Sequence, residues 1–181
     1  MFVPPTRNDE YVRLRYYVGS TAAHSSGAPT WAATEIVLPA HPFNEVRGIA
    51  AFRDRRRDKA VDTMADRYRQ RMRTRQKAGP AVAGFSDELQ PATRYFSRQF
   101  AKGRLLAGER IVRVEVWLGR SPSPPHGRSD NPHLKANREQ VLEGYYRGAV
   151  ESQLRDVRYS PYGAVEQEVD ITWTLVFFEE I

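Results

Sequence analysis

Cysteine is absent from all 181 residues, so no disulfide framework, thiolate nucleophile, iron–sulfur cluster or cysteine-ligated zinc is open to this chain. Long apolar runs are missing too. None approaches the roughly 18 residues that cross a bilayer, and the opening MFVPPTRNDEYVRLRYY lacks the continuous apolar core of a secretory signal. No membrane association is expected. The expected compartment is cytoplasm or another reducing interior, such as an organelle matrix or a virion, rather than the secreted space. Also absent are a G-x-S-x-G elbow, a P-loop, a G-x-G-x-x-G turn after a strand and an H-E-x-x-H pair. Histidine is sparse, and only His126, Asp130 and His133 cluster. They fall in a proline-rich stretch with neither a rigid scaffold nor a fourth donor, and so read as a polar loop rather than a zinc site. The sequence points away from an enzyme, with no catalytic residue, metal or cofactor expected.

What is present suits a packed domain. Hydrophobic residues make up 40% of the chain and aromatics 11%, enough to build a core despite many charges, and the length fits one domain over residues 1–181. Residues 10–18, EYVRLRYYV, alternate as a half-buried strand, with Val12, Leu14, Tyr16 and Val18 on one face and Tyr11, Arg13, Arg15 and Tyr17 on the other. TEIVL (34–38) forms a second strand. FSDELQPATRYFSRQFAKG (85–103) has the Pro-early, Gly-late asymmetry of a helix. ERIVRVEVWL (109–118) is the cleanest strand, its even positions aliphatic while Ile111, Arg113, Glu115 and Trp117 line the other side. Residues 119–136 read as a Pro-rich loop. Asn137 and Gln140 resemble a capping box opening a helix through REQVLEGYYRGAVESQLRDV. VDITWTLVFFEEI closes as a strand with Val169, Ile171, Trp173, Leu175 and Phe177 inward, although Val176 and Phe178 break its polar face. These elements predict an α+β fold: a sheet of about four strands, antiparallel or mixed, with helices on one face, of ferredoxin-like character, plus a long basic helix.

That basic helix is the strongest functional signal. Residues 53–77 carry eleven Arg or Lys against four Asp, a local charge of +7 in a chain whose total is +6, which leaves the remainder at −1. Val61, Met64, Ala65, Tyr68 and Met72 recur at helical spacing. The pattern predicts a helix over 44–78 between Asn44 and Gly79, about 50 Å long at 1.5 Å per residue. The acidic ridge Asp54, Asp58, Asp62 and Asp66 reads as a salt-bridged solvent face. In RYRQRMRTRQK (67–77) a base stands at every odd position, and the helical twist fans these bases around most of the circumference. Guanidinium groups fit phosphate oxygens bidentately, and an aromatic ring can stack on a base. The candidate contact residues are Arg53, Arg55, Arg56, Arg57, Lys59, Arg67, Tyr68, Arg69, Arg71, Arg73, Arg75 and Lys77. Their expected partner is a nucleic-acid backbone, or else an acidic protein surface, and nothing suggests base-specific readout. The alternative is a homo-oligomeric structural protein, a phage or organellar particle component, held through aromatics such as Tyr11, Tyr17 and Trp117 on the non-core strand faces.

Two smaller features complete the reading. Ser121-Pro122 and Ser123-Pro124 are dipeptides of the kind that proline-directed phosphorylation uses. RYFSRQFAKG followed by GERIVRVEVWLGR resembles the small linker domains of phycobilisomes, in which a helix leads through paired glycines into such a strand; here Ala107-Gly108-Glu109 stands in place of the pair.

Overall fold

The computed structural model describes residues 8–20, 28–38, 63, 66, 70, 86–122, 132–148, 150–160 and 163–181. Among them run β1 (Asn8–Ser20), β2 (Pro29–Leu38), α1 (Ser86–Arg104), β3 (Glu109–Pro122), α2 (Pro132–Tyr146), β4 (Val150–Gln153), β5 (Val165–Glu168) and β6 (Ile171–Glu180). Every strand pairing is antiparallel. The six strands lie in the order β4-β2-β1-β3-β6-β5, an open sheet that curls into a half-barrel.

The curl has a local cause. Register shifts fall between Val12 and Arg13 and between Val18 and Gly19 where β1 meets β2, between Tyr17 and Val18 where it meets β3, and between Val116 and Trp117 where β3 meets β6. Each sets an extra residue against its partner strand, which bends the strand and increases its twist. At the last of these, Val116 faces Phe177 and Trp117 faces Leu175, so Val176 is the additional residue. The parity of β6 flips there: Ile171, Trp173 and Leu175 lie on one face with Trp117, whereas Phe177, expected with them, joins Val176 and Val116 on the other, and Phe178 falls opposite Glu115.

The sheet is covered on both faces. On the first, Val12, Leu14, Tyr16, Val18, Val114, Val116 and Leu118 pack against Leu89 and Phe100 of α1, with Tyr16 stacked on Phe100 at 4.1 Å. On the second, Tyr11, Ile36, Trp117, Ile171, Trp173 and Leu175 pack against Leu142 and Tyr145 of α2. The ferredoxin-like expectation of about four strands with helices on one face is therefore overturned: the described residues form six strands, and α1 and α2 lie on opposite faces of the sheet. Tyr11, Tyr17 and Trp117 are core residues and not exposed contacts.

Three local readings change as well. The helix expected from Asn137 onward begins at Pro132, a proline suited to a first turn, and stops at Tyr146. Gly148 closes it at φ 64 with its N–H donated to the Tyr145 carbonyl, the left-handed cap that glycine accepts most easily. Residues 150–153 leave as β4 instead of continuing the helix. The expected loop over 119–136 loses both ends, since β3 runs to Pro122 and α2 starts at Pro132. Finally, β5 and β6 form a hairpin through Val169 and Asp170, with Glu168 opposite Ile171. Val169 is a turn residue at φ 55 and not an inward strand position.

Candidate nucleic-acid or partner interface

The twelve candidate contact residues of the basic segment, Arg53, Arg55, Arg56, Arg57, Lys59, Arg67, Tyr68, Arg69, Arg71, Arg73, Arg75 and Lys77, lie outside the described residues. Within that stretch Thr63, Asp66 and Gln70 are described, and all three are helical and exposed. Their spacing of three and four puts them within one 60° arc of a helix. On the wheel this arc is opposite the apolar stripe that the sequence sets from Val61 to Met72. The segment is inserted between β2, which ends at Leu38 on the first neighbour of β1, and α1, which begins at Ser86.

On the second face of the sheet the buried cations are matched by carboxylates of the same chain. Arg13 and Arg15 stand two apart on β1 and so project to the same, second face, where Glu115 of β3 and Glu166 and Glu168 of β5 meet them. Arg15 donates to Glu166 through two nitrogens, each at 2.9 Å. Arg13 donates to Glu166 as well, and to the Tyr145 hydroxyl at 3.1 Å; that hydroxyl in turn donates to Glu168 at 2.8 Å. Arg113 lies 3.0 Å from Glu115 and 2.9 Å from Glu180. Glu115, fully buried, also accepts from the Trp117 indole and the Ser160 backbone N–H. Such closure is what allows charges to sit in a core, since a buried ion without partners is very costly.

Aromatic rings complete the enclosure. The Arg13 guanidinium lies 4.2 Å from the Trp173 ring centre, 5.0 Å from Trp117 and 5.5 Å from Tyr145, an aromatic box filled by the protein's own cation. Arg113 sits between Phe178 at 4.3 Å and Tyr159 at 4.5 Å. Burial works to raise the pKa of Glu166, but the hydrogen bonds and charges of Arg15 and Arg13 outweigh it and hold the carboxyl below its usual range. Burial pulls Arg13 down from the ordinary arginine value, against the opposing charges of Tyr145, Glu166 and Glu168. Burial pushes the Tyr145 and Tyr11 hydroxyls up to about 12.

Farther along the same face α2 is pinned by a second small network. Arg138 donates to the Ser121 hydroxyl at 2.8 Å and to Asp170 at 3.1 Å, and Ser121 donates to Asp170 at 3.0 Å. Ser121 is fully buried, so in the folded chain it is closed to a kinase. Ser123 lies outside the described residues, as do His126 and Asp130, and His133 is exposed on α2. Among the described residues no group of three or more His, Asp or Glu is suited to a metal ion, and no helix is long and apolar enough to cross a membrane.

Sequence reasoning did not find the Arg13–Arg15–Arg113 network. A signal was available: Tyr11, Tyr17 and Trp117 interleave with those arginines, and three large rings on a face assigned to solvent form an apolar patch that calls for cover. Compared with models of protein families, with curated proteins and with solved structures, the chain matches none, and the resemblance to phycobilisome linker domains gains nothing from these comparisons.

Proposed function

We propose that this chain is a non-catalytic structural or assembly subunit of a larger particle, in which the Arg-rich segment 53–77 contacts nucleic-acid phosphates while the half-barrel serves as a rigid base. An acidic protein surface is the other partner the same chemistry fits. The carrying observation is the contrast in charge balance. Arg13, Arg15 and Arg113 of the sheet and Arg138 of α2 are matched to carboxylates of the same chain, whereas residues 53–77 hold eleven cations against four aspartates. Arginine there outnumbers lysine nine to two, which favours bidentate phosphate recognition over point-charge attraction.

A specific observation favours self-association as a second reading. The sheet ends on both sides in strands of only four residues, β4 and β5, laid against ten-residue neighbours. Among the described residues, part of β2 and of β6 therefore has no strand beyond it, and an unpaired edge is a template for another chain. Size-exclusion chromatography with light scattering, run with and without RNA or DNA at low and high salt, separates the two. Co-elution with polynucleotide at low salt and release at high salt support the first reading; a salt-insensitive homo-oligomer supports the second. A monomer that binds no polynucleotide overturns both.

A further inference from the structure

A second basic surface lies on α1, and its cations differ from those of the sheet. Leu89, Thr93, Ser97 and Phe100 form the buried side of this helix, while Arg94, Tyr95, Arg98, Gln99 and Lys102 are exposed. Arg94, Arg98 and Lys102 recur every four residues, so they stand in one row about 6 Å apart along the axis. Arg94 is shared with Glu179 at 2.9 Å. Arg98 and Lys102 have no carboxylate within ion-pair distance among the described residues. Lys102 also complements the helix dipole in the last turn, which is reason enough for a base there. Arg98, in mid-helix, has no such role. Beside this row Tyr95 keeps 57% of its surface in water, with its ring braced edge-on by Phe96 at 5.3 Å.

We infer that this face of α1 is a binding surface for single-stranded nucleic acid. Arg98 and Lys102 meet backbone phosphates, and Tyr95 stacks on a base. A row of cations spaced by one helical turn tracks a flexible polyanion, and an exposed, braced ring supplies the π-face on which any base can stack. An acidic protein surface would engage the two cations but gives Tyr95 no particular partner. The inference deepens the proposed function and rests on it, because it supplies a second contact for the polyanion that residues 53–77 would hold.

The test uses the full chain and labelled single-stranded oligo(U) and oligo(dT), titrated over a range of salt. Replacing Arg98 and Lys102 together by glutamine should lower the slope of log affinity against log salt by about 1.4, at roughly 0.7 per phosphate released. Tyr95→Ala should weaken binding about 5- to 150-fold at every salt concentration and leave the slope alone. All three side chains are exposed, and matching thermal unfolding curves check that the variants keep the fold. If the unmodified chain binds and none of these substitutions changes slope or affinity, α1 is not the surface, while the reading of residues 53–77 stands. If the unmodified chain binds neither oligonucleotide, both readings fall. Competition by polyglutamate combined with no effect of Tyr95→Ala would assign the face to an acidic protein and overturn the inference.

Discussion

On the second face of the sheet Arg13, Arg15 and Arg113 are each held by carboxylates and covered by aromatic rings, whereas between residues 53 and 77 eleven cations share four aspartates. The same side chain serves opposite ends. In the sheet, guanidinium groups are removed from water, and the cost of doing so is offset only because Glu115, Glu166 and Glu168 arrive from other strands to meet them. In the segment no such balance exists in the sequence, and a charge surplus of this size is what long-range attraction to a polyanion requires. Matched arginines make a fold specific. Surplus arginines make a partner possible.

The sharpest way to break this comparison is to remove a carboxylate from the matched side. Glu115→Ala leaves Arg113 with the exposed Glu180 as its only carboxylate among the described residues and removes the acceptor of the Trp117 indole and the Ser160 N–H, and should destabilise the chain by about 3 to 5 kcal/mol, read from denaturant midpoints. Gly119→Ala should cost about 1 to 3 kcal/mol, because a Cβ there would meet the Trp173 ring at 2.4 Å, the same ring that covers Arg13. A milder perturbation is pH. Tyr11 and Tyr145 ionise in the folded chain at about 12 but near 10 when unfolded, so the stability they lend is complete below about pH 10 and is lost as pH rises toward 12. Circular dichroism followed alongside the tyrosinate absorbance of Tyr11 and Tyr145, isolated by difference against Tyr11→Phe and Tyr145→Phe variants, should show unfolding and the ionisation of these two together above pH 10; their ionisation with the sheet intact would contradict the burial described above. Val169→Asn should raise stability by about 1 kcal/mol by relieving a β-branched residue at positive φ, measured by thermal unfolding. On the surplus side, Arg71→Gln with Arg73→Gln should change stability by less than about 0.5 kcal/mol. Loss of stability comparable to Glu115→Ala would mean that these arginines, too, are matched.

How far the residues declared this architecture varies by element. β1, β3 and α1 were legible because each carries a long, uninterrupted period, and their observed limits extend the expected ones by only a few residues. β4 and β5 were not, since VESQ and VEQE are short, polar and without a buried position. Their strand character comes from pairing with β2 and β6 and not from their own sequence. Gly148 stands inside the helical pattern of the sequence, and only its positive φ marks it as the end. The second core was hidden because Arg13, Arg15, Arg113 and Glu115 look like a solvated face until partners from β5 and α2 are in place, and those contacts span more than a hundred residues for Arg13. The charge surplus needs no fold to be seen, and the candidate contact residues that rest on it lie outside the described residues.

The decisive measurement is the salt dependence of polynucleotide binding by the full chain, compared with a variant in which Arg67, Arg69, Arg71, Arg73, Arg75 and Lys77 are all glutamine. Binding that weakens steeply with salt, and a slope smaller by up to about four in the variant at roughly 0.7 per phosphate on a single strand, is the outcome expected from surplus cations meeting phosphates. Equal slopes for the two proteins, or no binding by the full chain at low ionic strength, would show that the surplus is not used on a polyanion.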